Sequence, residues 1–462
     1  MKEKIGQFIK VAVIGIIALI LLIPLGMISN MVSERSEYQM EAMRGVADSW
    51  ADKQHVIGPV LVIPYEVVQN VVEWNEKKRV ETTREVRETR YLQLPAAEVN
   101  AVVDLQTEMR SKGIYSFPVY RSETRLAGRF QLKGIQEVLK DSNASLKGSP
   151  KLLIGLGDPR GIASAPTLVW QGKELNFEPG TPGGFFQTGV HAVLPEVTAA
   201  MEGQNVEFAV NMDLQGMAAY QMMPTARSSR LDMSSNWPHP SFSGSFPALT
   251  REISDAGFTA TWQMSHFATN LESHFTGHKA RSFNDLESLA VGVRLFHPVD
   301  VYTVTQRALK YGFLFVALTF AAFFFFEMIR DLRIHPIQYG LVGIALALFF
   351  LILLSLSEHI LFGWAYFIAS SACILLLVFY LASVLAGWKR AMGFGAALTL
   401  LYGTLFILLQ LQDFALLVGS GILFVVLAGI MLGTRHLNWY QLGDHKAEQP
   451  PQLPDTIEPK RN

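Results

Sequence analysis

The residues most open to a chemical reading are few and scattered. His274 and His278 stand four apart, which on a helix would set both imidazoles on one face, and with His266 nearby they could begin a zinc site. No HExxH accompanies them and Glu272 would project elsewhere on the helix, so exposed or capping histidines are the simpler account. Asp158 and Arg160, in the turn Gly155-Leu156-Gly157-Asp158-Pro159-Arg160-Gly161, could hold an anion on turn amides. An aspartate that caps its own turn and pairs with the arginine is the more economical reading. Trp237 and His239, in Asn236-Trp237-Pro238-His239-Pro240-Ser241-Phe242, offer a rigid aromatic loop to a partner, against the ordinary alternative of buried rings with turn prolines. Glu327 is a carboxylate embedded in an apolar run, the usual trace of transport, yet Arg330 three residues on suggests an interfacial salt bridge. Glu358 and His359 fit a polar hairpin loop. There is no Gly-x-Ser-x-Gly elbow. The sole cysteine, Cys373, lies in an apolar run, which excludes a cysteine nucleophile or cysteine-ligated zinc elsewhere. No residue is assigned to catalysis, a cofactor or a metal.

The elements that must position these residues are dominated by hydrocarbon-length runs. Residues 311–329 read YGFLFVALTFAAFFFFEMI, without a charge until Glu327. About twenty apolar residues at 1.5 Å each cover the roughly 30 Å of a bilayer's hydrocarbon, and a buried helix of a soluble domain seldom lacks a polar face for so long. Similar runs occupy 11–28, 337–356, 361–385, 391–411 and 414–432, giving six predicted spans. The first has no small-residue cleavage site, so it reads as an uncleaved span, kinked at Pro24. Tyr38, Ala42, Val46 and Trp50 then recur at helical spacing, predicting an amphipathic helix over 33–54. Asp300 is placed to cap a helix that runs on into the 311–329 span.

Between the first two spans the period changes to two. Val206, Phe208, Val210, Met212 and Leu214 alternate with mostly polar neighbours, Leu289, Val291, Val293 and Leu295 repeat the pattern, and Val60 to Ile63 is a short buried-type strand. Residues 72–94 form a charged hairpin turning near 75–78, and Gln171-Gly172 signals a turn before a strand over 173–177. A helix is expected around Phe267, Leu271 and Phe275. The expected fold is a six-helix transmembrane bundle with a large antiparallel β-rich (α+β) periplasmic domain inserted between spans 1 and 2, of one sheet or two packed sheets. Patterning leaves one lobe or two open, with the region near Pro150 a weak candidate boundary.

The corresponding segments are 1–32, a head and first span; 33–307, the β-rich domain; 308–434, five spans; and 435–462, a polar, proline-rich tail that reads as disordered. Short loops give the orientation. Lys2, Lys4 and Lys10, Arg330 and Arg333, Lys389 and Arg390, and Arg435 all fall on one side, while Ser357-Glu358-His359 and residues 410–413 on the other hold no lysine or arginine. The positive-inside rule therefore puts both termini in the cytoplasm and 33–307 outside it. With 50% hydrophobic residues, 17% charged and a net charge of −1, the chain has no electrostatic call on nucleic acid, and its expected surroundings are the lipid bilayer and an envelope partner of unknown identity.

Many short motifs resemble those of the CreD family: His55-Val56-Ile57-Gly58-Pro59, Gly157-Asp158-Pro159-Arg160-Gly161, Glu178-Pro179-Gly180, Ser235-Asn236-Trp237-Pro238-His239-Pro240-Ser241-Phe242, Arg307-Ala308-Leu309-Lys310-Tyr311 running into the phenylalanine-rich span through Glu327, His335-Pro336-Ile337-Gln338-Tyr339, Leu356-Ser357-Glu358-His359 and Asn438-Trp439-Tyr440-Gln441. Together they cover nearly the whole chain. The resemblance implies a Gram-negative inner membrane, expression under the CreBC two-component system, and a role in envelope integrity linked to colicin tolerance and β-lactam response. It supplies no catalytic or ligand residues. The expected activity is periplasmic binding or assembly coupled to the membrane bundle, not catalysis; a transporter of an envelope component and a periplasmic envelope-modifying enzyme are the alternatives.

Overall fold

The computed structural model describes residues 2–411 apart from 76–79, 185, 270–288, 296–299, 330–333 and 386, together with scattered residues between 417 and 431. Its contacts divide the chain into two compact units, one drawn from Met1–Glu37 and Val299–Asn462, the other Tyr38–Pro298.

Helices occupy Lys2–Ile20 (α1), Leu22–Trp50 (α2), Ile135–Leu139 (α3), His266–Thr269 (α4), Val301–Lys310 (α5), Gly312–Ile329 (α6), Pro336–Ser357 (α7), Phe362–Val384 (α8) and Trp388–Gln410 (α9). The long ones of the first unit are apolar nearly all round. On α7 the buried positions include Tyr339, Val342, Leu346, Phe349, Phe350 and Leu353, while Leu341, Ile344, Leu348 and Ile352, spaced three and four apart, are exposed. An outward stripe of large aliphatic side chains on a helix already buried on its other face would be costly in water and is at home in hydrocarbon. Four helical stretches are long and apolar enough to cross a membrane, Ile9–Trp50, Pro336–Ser357, Phe362–Val384 and Trp388–Gln410, and a fifth crossing results if the bent pair α5 and α6 counts as one. The expected sixth, over 414–432, falls mostly on residues outside the described set, as do Arg330, Arg333, Arg435 and the tail.

Two helical expectations are corrected. The N-terminal helix is interrupted at Leu21, in the turn before Pro24 where a proline kink falls, but it then resumes as a single helix to Trp50, so no separate helix begins at Ser33 and none reaches Gln54. Pro24 has no N–H for the carbonyl of Ile20, and the break falls in the turn before it, with Leu25 N–H reaching Leu21 O at a stretched 3.4 Å. Asp300 does cap α5, its carboxylate accepting from Tyr302 N–H at 3.2 Å, but the helix does not run straight on: α5 and α6 meet at 43°. At the joint Tyr311 N–H bonds Ala308 O, three residues back, which tightens the last turn before Gly312.

Inside this unit several buried polar groups are paired across helices. Tyr366 Oη donates to Tyr402 O at 2.6 Å, Tyr402 Oη meets Cys373 Sγ at 3.2 Å, and Cys373 Sγ reaches Ala345 O at 3.4 Å. The ring of Tyr402 packs on Phe315 and Phe349 with centroids 4.6 and 4.7 Å apart. Gly343 lets the first helix approach, since a Cβ there would lie 2.0 Å from Leu21 Cδ1.

The second unit is built on fifteen strands: Gln54–Asn75 (β1), Val80–Lys112 (β2), Tyr115–Gln131 (β3), Ala144–Leu146 (β4), Lys151–Gly155 (β5), Thr167–Trp170 (β6), Lys173–Pro179 (β7), Gly189–Val193 (β8), Asn205–Met217 (β9), Ala219–Met223 (β10), Ala226–Ser235 (β11), Pro240–Gly244 (β12), Thr250–Ser254 (β13), Gly257–Ser265 (β14) and Val291–Leu295 (β15). The pairings β1–β5–β8–β7–β6–β9–β3–β2 return to β1 through a β1–β2 hairpin running from Val60↔Pro95 to Asn75↔Val80, which closes a circuit of eight strands. The hairpin is the one the charged 72–94 stretch predicts; its turn, 76–79, lies outside the described residues. Closure removes sheet edges, and the long strands β1 and β2 achieve it by pairing with different neighbours along their lengths. The remaining strands extend from this circuit. Two pairings are parallel, β1 with β10 and β2 with β11, where antiparallel neighbours were expected, because β10 and β11 each return to a long strand after an excursion around the circuit.

Periodicity translates directly into burial. In β9 the valine, phenylalanine, methionine and leucine positions from Val206 to Leu214 are buried, with more exposed residues between them. They join Tyr120, Phe130, Trp170 and Trp262 in one core, where Phe130 lies 5.1 Å from Phe208. Each such side chain contributes about 1.5–3 kcal/mol on burial. Gln171 and Gly172, with φ of 49° and 78°, make the two-residue turn between Trp170 and its partner Lys173. Pro150 marks no division: the segment after it, β5, pairs with β1 on one side and β8 on the other. Of the helix expected around Phe267, the described part is α4, with Phe267 itself exposed, and 271–275 lie outside the described residues. From Tyr38 onward α2 belongs to this unit, where Ala42, Val46, Ala47 and Trp50 pack against Phe117, Val119 and Met217.

Candidate functional site

The candidate residues are divided between the two units, and within each they form separate groups. In the helical unit two carboxylates stand at opposite ends of α7, whose 22 residues span about 33 Å. At its start, His335 is the N-cap: its Nδ1 accepts from Ile337 N–H at 3.3 Å while Gln338 Oε1 accepts from His335 N–H at 3.1 Å, and Pro336 takes the first helical position. That reciprocal cap fixes the chain so that Ile334 N–H donates to Glu327 Oε1 at 3.0 Å, and Tyr339, one turn into α7, donates its hydroxyl to Glu327 Oε2 at 2.9 Å. The Tyr339 ring is held between Phe320 and Phe323 of α6. The cation on Glu327 is Lys10 of α1. The local partner the sequence suggests, Arg330, is outside the described residues, and a lysine 317 positions away occupies the carboxylate. Glu327 is buried, so this pair is far less screened than a surface one.

At the far end Glu358 is the C-cap of α7, and its Oε1 accepts from Tyr302 Oη at 3.1 Å with Arg35 Nε at 3.7 Å. Tyr302 is buried on α5, whose own cap is Asp300. His359 beside it is exposed. Each carboxylate thus carries a cation from the first helical stretch and a tyrosine hydroxyl. Chemically these are clasps: Glu327 accepts from an ammonium, a backbone amide and a phenol together.

In the β unit Asp158 is buried and fully engaged. Its Oδ1 accepts from Arg160 N–H at 3.1 Å and Nε at 2.9 Å, and its Oδ2 from Arg160 Nη2 at 2.7 Å and Asp52 N–H at 3.1 Å. The bidentate Arg160 guanidinium holds its carboxyl below the usual carboxylate range, burial opposing and the two backbone amides assisting. Next to it the wholly buried Gln54 donates through Nε2 to Asp158 O and Gln215 O, both at 2.9 Å. The arrangement is the self-capped turn, extended to grip the end of α2, where Ala51 takes a φ of 99°. A Cβ on Gly157 would fall 2.7 Å from Lys53 O and 2.9 Å from His55 N, so the motifs at 55–59 and 157–161, a hundred residues apart, form one joint. Sequence reasoning missed Gln54 and Asp52; no local pattern marks them, because their partners come from β9 and the 157–161 turn.

Trp237 and His239 lie apart from that joint. Trp237 N–H donates to Ser235 Oγ at 3.2 Å and its Nε1 to His239 O at 3.0 Å, and His239 is exposed. Asn236 continues the β2–β11 ladder with its side chain, exchanging bonds of 2.8 and 3.1 Å with Thr107. Phe242 packs on Phe258 and Trp262. Of the three histidines, His266 has Nδ1 3.2 Å from Arg227 O and stacks on Phe267; His274 and His278 lie outside the described residues. Among the described residues no three ligating side chains are placed to hold a metal ion.

A recess of about 360 Å³ in the β unit escaped the sequence reading altogether. Lys147, Ser149 and Lys151 line it on one side, with Tyr91, Pro64 and Pro182. No spacing announces it, since β1, β2 and two loops contribute.

The family profile described as Inner membrane protein CreD matches residues 7–440. The Inner membrane protein CreD of Escherichia coli (strain K12) is 38% identical to this chain over 424 residues, covering 91% of each. Among solved structures, an M1 zinc metallopeptidase from Deinococcus radiodurans aligns at 8% identity and a TM-score of 0.20 over 37% of this chain and 38% of that one. A mutant two-domain M1 zinc metallopeptidase bound to L-tryptophan aligns at 10% and 0.17, over 37% and 40%. Overlaps this slight bear on neither fold nor function.

Proposed function

The chain belongs to the CreD family of inner membrane proteins, and from that premise we propose that it contributes to cell envelope integrity by presenting its β unit, on the periplasmic side, to an envelope ligand or partner. The observation that carries this reading is the self-contained β unit, Tyr38–Pro298, whose apolar side chains turn into one large core and two smaller clusters while its strands carry charge outward, lying in sequence between membrane-length helices. Such a unit folds in water and is tethered to the bilayer by chain at both ends. The periplasmic assignment rests on the lysines and arginines of the short loops. Binding, not turnover, is the activity proposed: the buried carboxylates are engaged in caps and clasps, and the recess beside Lys151 offers a surface for recognition.

Two experiments test it. Alkaline phosphatase inserted at Gly113, in the exposed turn between β2 and β3, should be active in intact cells; activity of a cytosolic reporter at the same place would overturn the orientation. Excision of residues 54–295, with the helices rejoined by a short linker and membrane insertion confirmed, should reproduce the colicin and β-lactam response of a null strain. A wild-type response from that variant would dismiss the β unit as the working part.

A further inference from the structure

We propose that the recess between β1, β2 and the segment 147–151 binds an anionic sugar, a pyranose ring carrying one carboxylate or phosphate. This names the ligand class for the β unit and rests on the binding reading above. The floor is Val62 of β1, and the walls are rigid: Pro64 and Pro182 have fixed φ, and Lys147 N–H is tied to Pro64 O at 3.2 Å. Gln93 Nε2 donates to Gly183 O at 2.8 Å and holds the second loop. Gly183, at φ +77°, is bare on the side facing β2, and the Tyr91 ring lies against it, 2.5 Å from where a Cβ would be. Tyr91 is 45% exposed even so, leaving an aromatic surface open at the mouth of a preformed cavity.

Charge sets the ligand's sign and valence. Lys147 Nζ is 2.7 Å from Glu66 Oε1, so that cation is already balanced. Lys151 has no carboxylate within salt-bridge distance among the described residues, although it lines the same recess. One uncompensated ammonium calls for one negative charge. An aromatic ring beside it favours a ligand with a C–H face to lay on the ring, and Ser149 with the neighbouring backbone supplies partners for hydroxyls. A volume of about 360 Å³ is at the small end of ligand sites and suits one or two sugar rings. An acidic peptide would satisfy Lys151 but would leave the Tyr91 surface unused.

The test uses the full-length protein in detergent, titrated by calorimetry and ligand-observed NMR with glucuronate, glucose 1-phosphate, glucose, acetate, inorganic phosphate and a tetraglutamate peptide. Glucuronate or glucose 1-phosphate should bind at least tenfold more tightly than glucose, acetate or phosphate. Lys151→Gln should weaken binding tenfold or more, and Tyr91→Ala several-fold, with Tyr91→Phe close to wild type; unchanged thermal unfolding shows that the fold survives. Vesicles bearing a phosphorylated glycolipid, set against the free sugar phosphate, tell a membrane-borne headgroup from a soluble ligand. Absence of binding by both anionic sugars, equal binding of acetate or phosphate, tighter binding of tetraglutamate, or wild-type affinity in Lys151→Gln would each overturn the proposal. The outcome is separable from the envelope reading: a null phenotype on excising the β unit without sugar binding defeats only the ligand assignment, whereas sugar binding with no phenotype defeats the envelope role.

Discussion

The helical unit and the β unit both bury charged groups, and they use them differently. In the helical unit the described ion pairs join residues hundreds of positions apart, Lys10 with Glu327 and Arg35 with Glu358, one at each end of α7. In the β unit several pairs join residues two apart on one strand, as Glu85 with Arg87, Glu88 with Arg90, Glu108 with Arg110 and Glu123 with Arg125, all well exposed. A helix in hydrocarbon satisfies its own backbone and has little apolar preference for one neighbour over another, so a buried pair can decide which helix lies where. Strands already find their neighbours through hydrogen bonds and an inward apolar face, so their surface charges serve solubility and add little stability. Asp158 is the exception within the β unit: buried, multiply bonded, and placed where a helix must be joined to a strand.

The comparison can be broken at its strongest point in each unit. Replacing Glu327 by Ala strands the buried end of Lys10 and leaves Ile334 N–H and Tyr339 Oη without their acceptor, which should cost roughly 3–5 kcal/mol. Thermal unfolding in detergent measures it, and the double variant Lys10→Ala, Glu327→Ala should recover part of the loss. Trp262→Ala should cost about 3–5 kcal/mol through the cavity left in the β core, read as a lowered midpoint in denaturant. If Trp262 proved indifferent, the large apolar cluster it shares with Phe130, Trp170 and Phe208 would not be the stabilising core.

Smaller effects sharpen the contrast. Asp158→Ala should destabilise by roughly 1.5–3 kcal/mol, because the carboxylate's charge-assisted bonds go to Arg160 and to a backbone amide at the helix exit. The pH dependence has a definite sign. A carboxyl whose folded pKa is lowered contributes stability that is present above its unfolded value, near 3.9, and is lost as pH falls through the folded one. Asp158→Asn should therefore flatten the acid side of the stability curve below about pH 4. Glu123→Ala, at a pair whose side chains are both 69% exposed, should stay within about 0.5 kcal/mol of the parent. A larger change there would show that the strand charges do more than face solvent.

What could be read from residue order alone is whatever depends on neighbours within a turn or a strand. The apolar runs show as membrane-length helices, period two shows as strands such as β9, and Asp300, Gln171-Gly172 and the 72–94 hairpin act through partners close by in the chain. The kink at Pro24 is legible because the proline is visible in the sequence, and the structure interrupts the helix at Leu21, in the preceding turn where the lost hydrogen bond is felt. The closure of eight strands, the parallel returns of β10 and β11, the joint between 55–59 and 157–161, and the pairing of Glu327 with Lys10 came only with the tertiary structure. Each is a contact between distant segments, and its energy depends on where the rest of the fold has already brought them. A local pattern carries no record of that distance.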